Sequence, residues 1–165
     1  MANIDMKSCL GLVLMLLTGC DAALAAPTTV SGAGALALAA LIGDYSPVLS
    51  RHDKQTLARV FDGDLRGLTA ATKTITVQAD SIVCRTFNAD ISAHSCDLSF
   101  GGNKRTLRGR KAHEVFATLV EVGVPSEGAA GTFFESLSDL MCTIDLHEFQ
   151  QRAGGGATCS FNPRP

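Results

Sequence analysis

The chain has no tryptophan and one tyrosine, and aromatic residues fill only 5% of its 165 positions. A core made with so few rings must come from aliphatic side chains, and at 46% hydrophobic residues there are enough of them to exclude a disordered polymer. Charge of one sign is also missing, since 14 basic residues stand against 16 acidic ones. That balance excludes the global positive field by which a protein gathers on nucleic acid. No apolar run approaches the roughly 20 residues of a membrane-spanning helix. The run at residues 10–17 (LGLVLMLL) is far too short. G-x-S-x-G, S-x-x-K, the phosphate- and dinucleotide-binding glycine motifs and C-x-x-C are all absent. The motifs therefore assign no catalytic residue and no cofactor.

What is present begins with an export signal. Residues 1–25 combine a short polar start carrying Lys7, the apolar run, and Ala23-Leu24-Ala25 with small residues at the −3 and −1 positions of a cleavage site. Leu17-Thr18-Gly19-Cys20 also matches the lipobox of bacterial lipoproteins, in which Cys20 is acylated and becomes the new N-terminus. The two cleavage readings stand side by side. The first predicts a free periplasmic or secreted domain, the second a domain lipid-anchored in the cell envelope.

Of the six cysteines, Cys9 and Cys20 fall within the export segment, which leaves Cys84, Cys96, Cys142 and Cys159. An even number in an oxidising compartment reads as disulfides. Local geometry favours Cys84 with Cys96 and Cys142 with Cys159 over the other pairings. Zinc fits poorly, because neither pair has the close spacing of a metal knuckle, and no metal site is assigned.

Residues 26–33 hold small side chains with nothing to pack and are read as a flexible leader; residues 34–165 form one α+β domain. Residues 35–45 read as an Ala/Leu helix stopped by Gly43 and Pro47. A second helix begins at a cap on Asp53, with Leu57, Val60 and Phe61 on one side. From Thr74 the period changes to two, predicting strands over 74–77, 81–87, 95–100 and 104–110. A loop centred on Asp90 sets Cys84 opposite Cys96 and Ile82 opposite Leu98, and a turn at Gly102-Asn103 sets Leu98 opposite Leu107 on the same face. Ala112, Val115, Phe116, Leu119 and Val120 then form an apolar helical stripe, ended by Gly123 and Pro125, that covers the meander. Residues 126–131 read as a flexible connection. Leu140, Cys142 and Ile144 alternate inward, Asp145 caps a short helix, and a last strand surrounds Cys159 to complete a C-terminal strand pair.

The four histidines read as scattered through loops and helix surfaces. Asp145, His147 and Glu148 lie within four residues, but capping already explains two of them. The most informative surface is basic: Lys104, Arg105, Arg108, Arg110 and Lys111 fall within eight residues with no acid among them. Strand alternation turns Lys104, Arg108 and Arg110 outward, brings Arg85 and Ser95 beside Arg110, and sets Asp97 opposite Arg108.

The segments Ser81-Ile82-Val83-Cys84-Arg85, residues 104–112 and Gly154-Gly155-Gly156-Ala157-Thr158-Cys159 resemble small exported bacterial proteins of unknown function, a likeness that implies export and no mechanism. The expectation is a monomeric, non-catalytic binding module that docks an anionic envelope component or an acidic protein face through Arg85, Lys104, Arg108 and Arg110. The alternative is a secreted enzyme inhibitor or small hydrolase-like enzyme acting through the C-terminal half.

Overall fold

The computed structural model describes residues 26–66, 74–87, 90–129, 132–152 and 155–163. The signal-like residues 1–25, and with them Cys20, lie outside the described residues. Among those described, seven antiparallel strands form one sheet and four α-helices accompany it. None of the helices is long and apolar enough to cross a membrane.

Two helices lead into the sheet. α1 spans Ala33–Tyr45 and stops where Ser46 turns extended ahead of Pro47. α2 spans Arg51–Phe61, and its cap is Ser50 rather than Asp53. The Ser50 hydroxyl accepts from the Asp53 backbone N–H and donates to its carboxylate at 2.7 Å, so Asp53 sits inside the first turn.

The sheet is built on two 14-residue strands, β2 (Thr74–Phe87) and β6 (Thr132–Asp145), paired along almost their whole length. The strands expected over 74–77 and 81–87 are one continuous strand. Its inward set changes phase, from Ile75, Val77 and Ala79 to Ile82, Cys84 and Thr86. Strand β6 shifts with it, from Glu135 and Leu137 to Leu140, Cys142 and Ile144. The shift is a shared bend rather than a break. It falls at Asp139, whose φ is 55°, where the β6 pairing with β7 (Ala157–Pro163) is irregular. The Asp139 carboxylate accepts from Ser138 Oγ and Asn162 Nδ2, both at 3.0 Å, which holds the bend.

β3 (Ser95–Phe100) and β4 (Asn103–Arg108) extend the sheet beyond β2. Cys84 pairs with Cys96 and Ile82 with Leu98, as the loop arithmetic requires. The next turn differs. Gly101 and Gly102 both have positive φ and close a two-residue turn with Phe100 opposite Asn103, so Leu107 faces Cys96 instead of Leu98. A two-residue shift leaves every side chain on its expected face.

Two segments read as irregular are strands. Thr28–Ser31, within the expected leader, is β1 and pairs with β7, from Thr28 opposite Phe161 to Ser31 opposite Thr158. It occupies the hydrogen-bonding edge that β7 would otherwise leave open and packs Val30 against the core. Ser126–Ala129, within the expected connection, is β5 and pairs with the start of β6. Both disulfides bridge directly opposed residues, Cys84–Cys96 and Cys142–Cys159, and all four cysteines are buried.

α3 (Arg110–Glu121) and α1 cover one face of the sheet, with Ala112, Val115 and Leu119 at 0% exposure against it. α4 (Leu146–Gln151) is capped by Asp145, whose carboxylate accepts from the backbone N–H groups of His147 and Glu148 at 2.9 and 3.1 Å. Glycine is required just beyond it. A Cβ on Gly156 would stand 2.5 Å from the Asp145 carbonyl oxygen, to which that turn lies close. The opposite face of the sheet carries exposed Thr76, Thr143, Thr158 and Arg85.

Candidate anion-binding face

On this outer face, β4, β3, β2 and β6 place Arg108, Ser95, Arg85 and Phe134 in one cross-strand row. Alternation explains the row: Cys84, Cys96 and Leu107 point to the core, so their neighbours point away. The Arg85 guanidinium lies 3.7 Å from an Asp97 carboxylate oxygen and 5.7 Å from the centre of the Phe134 ring. The other Asp97 oxygen accepts the Thr106 hydroxyl at 2.7 Å. Asp97 is thereby held from two sides and offsets one of the two guanidiniums. Arg108 makes no hydrogen bond or ion pair among the described residues.

Arg85, Asp97, Thr106 and Arg108 border a depression of about 470 Å³ that Phe87, Ser92 and Ser95 also line. Its far wall is a single 3-10 turn, Ile91–Ala93, fixed by Asp90. The Asp90 carboxylate takes the Ser92 hydroxyl at 2.6 Å and the Ser92 N–H at 3.0 Å. Those two bonds, the hydroxyl first, hold the Asp90 carboxyl below its ordinary range. Phe87 and Phe134 are 43% and 42% exposed, unusual for rings of this size, so the depression joins cationic and aromatic surface.

Two of the four expected cations meet here. Arg85 and Arg108 are one strand apart, either side of Ser95. Lys104 faces Ser99 near the other end of β4, roughly 13 Å from Arg108 at strand spacing. Arg110 is not on the strand at all. Gly109, with φ 61°, ends β4 and starts α3, and Arg110 Nε lies 3.7 Å from Glu114 Oε1 one turn along the helix. Asp97 faces Thr106, not Arg108, because of the two-residue shift at the preceding turn.

Beneath the depression the structure corrects the reading of the histidines as scattered. His94 is 5% exposed, its Nδ1 lies 3.3 Å from His113 Nδ1, and its Nε2 has no partner. One of the two facing nitrogens donates and the other accepts. His147 stands apart on α4, beside Gln151.

Sequence reading passed over Glu135. It shares a face with Leu137, is fully buried opposite Cys84, and neither carboxylate oxygen has a hydrogen-bond partner. Burial alone pushes its pKa up to about 8, so the group is neutral near pH 7. The only available signal was its place in the Phe133, Glu135, Leu137 alternation, where the charge argues against an inward position. No family model, curated protein or solved structure matches the chain.

Proposed function

We propose that the chain is an exported, non-catalytic binding module whose outer sheet face takes an anionic glycan of the cell envelope. The observation that carries the reading is Arg108, a guanidinium with no ion-pair partner among the described residues, across Ser95 from Arg85, at a depression lined by the exposed ring of Phe87, with the exposed ring of Phe134 beside Arg85. A guanidinium pair binds carboxylate or sulfate through several parallel N–H donors. The rings offer flat apolar surface on which the C–H face of a sugar can lie. That combination favours a charged sugar over an acyclic phospholipid headgroup, which has no such face. Two buried disulfides support an oxidising compartment.

The test is retention on an immobilised polyuronate across a salt series. Arg108→Gln and Arg85→Gln are expected to weaken retention about tenfold each and to flatten its salt dependence. Arg110→Gln, which leaves the depression intact, is expected to change nothing. Equal losses for all three variants would mean diffuse attraction and would overturn the reading, as would stronger retention on anionic vesicles than on the glycan.

A further inference from the structure

On the far side of the helical layer, α1 has an unusual composition for a helix at a surface. Between Ala33 and Tyr45 its one charged residue is Asp44. A helix apolar all round demands partners on more than one side. The sheet side is served by Leu38, Ala39 and Ile42, which are fully buried. Ala37, Ala40 and Leu41 remain half-buried, and with Ala58 and Phe61 of α2 and Ala117 of α3 they line an open groove of about 460 Å³. Small-molecule sites fall in the range of roughly 300 to 1,000 Å³. Phe61 is 54% exposed at its wall.

The rim is charged with one sign in excess. Asp44, Asp62 and Glu114 stand around it against Lys54 alone. The Lys54 ammonium is already held at 2.7 Å by the Asp44 backbone carbonyl oxygen. Arg110, the ion-pair partner of Glu114, is not part of the lining. The same field is felt at Tyr45, whose pKa is raised by burial first and then by Asp44 and Glu114. Apolar walls with a negative rim exclude an anionic or strongly hydrated occupant and complement one with an apolar body and a positive end.

We propose that the groove between α1, α2 and α3 binds a small amphiphile with an apolar chain and an ammonium head, the chain along Ala37, Ala40 and Ala117 and the head at Asp62. This site is separate from the outer sheet face and from the anion proposed there.

Calorimetric titration of the intact protein with dodecyltrimethylammonium, dodecyl maltoside and dodecyl sulfate, each below its micelle concentration, tests it. One saturable site is expected, with the ammonium compound about tenfold tighter than the sulfate and the preference fading as salt rises. Ala58→Trp, at an exposed position, fills the groove and is expected to abolish the site while the melting temperature holds. Asp62→Asn is expected to keep chain binding and lose the preference for the cation. Equal binding of all three head groups, or ammonium binding unaffected by Ala58→Trp, would overturn the proposal.

Discussion

Replacing Glu135 with Gln removes the one fully buried carboxyl among the described residues without changing its size. In the folded protein its pKa is pushed up to about 8, against 4.5 ordinarily. Below pH 4.5 both folded and unfolded chains hold the proton and the group contributes nothing to pH dependence. Between pH 4.5 and 8 the unfolded chain releases it while the fold retains it, so stability falls as pH rises, by about 1.4 kcal/mol per unit. Above pH 8 both states are ionised and the dependence levels off. From pH 5 to 8 the loss is about 3.5 kcal/mol, a large part of the roughly 5 to 15 kcal/mol that holds a domain together. Urea unfolding at each pH from 5 to 9, with the disulfides intact, measures it. Every other titratable group is common to both proteins, so the difference between the curves isolates Glu135. The Gln variant is expected to match the parent near pH 5 and to exceed it by about 3 to 4 kcal/mol at pH 8. Parallel curves would refute the argument.

Three further outcomes follow from particular contacts. Replacing Cys142 and Cys159 by Ala is expected to cost about 2 to 4 kcal/mol in urea unfolding, because the bridge ties β7 to β6 and with it the β1 edge. Ser50→Ala removes the α2 cap and is expected to cost about 1 kcal/mol, whereas Asp53→Ala retains the Ser50 bond to the backbone and costs less. Gly102→Ala puts a side chain at φ 84° in the turn that sets the β3–β4 register and is expected to cost about 1 kcal/mol by thermal melting.

Much of the fold was legible because its signals repeat on independent segments. Cys84, Ile82, Cys96 and Leu98 agree on one face through a single loop centre, and the Ala112, Val115, Leu119 stripe supplies the helix that covers it. What escaped reading depended on partners distant in sequence. Thr28–Ser31 has no hydrophobic pattern of its own and becomes a strand because β7, some 130 residues on, offers an edge. The bend at Asp139 looks like a strand break until β2 is seen to bend with it. At the candidate site, alternation correctly turned Arg85 and Arg108 outward. It misplaces Arg110, because Gly109 ends the strand and starts α3, and the two glycines at 101 and 102 move the register by two. The His94–His113 contact joins a strand end to a helix face across the core, and no local periodicity reports such a pair.

The central claim is that an anionic sugar docks at Arg85 and Arg108. The most direct measurement is residue-resolved: amide chemical shifts of the folded protein titrated with an oligouronate. Docking at this face is expected to give saturable shifts confined to Arg85, Ser92, Ser95, Arg108 and Phe134, lost in Arg108→Gln. Shifts centred instead on Lys104 or on the Arg110 end of α3, or none up to millimolar ligand, would contradict it.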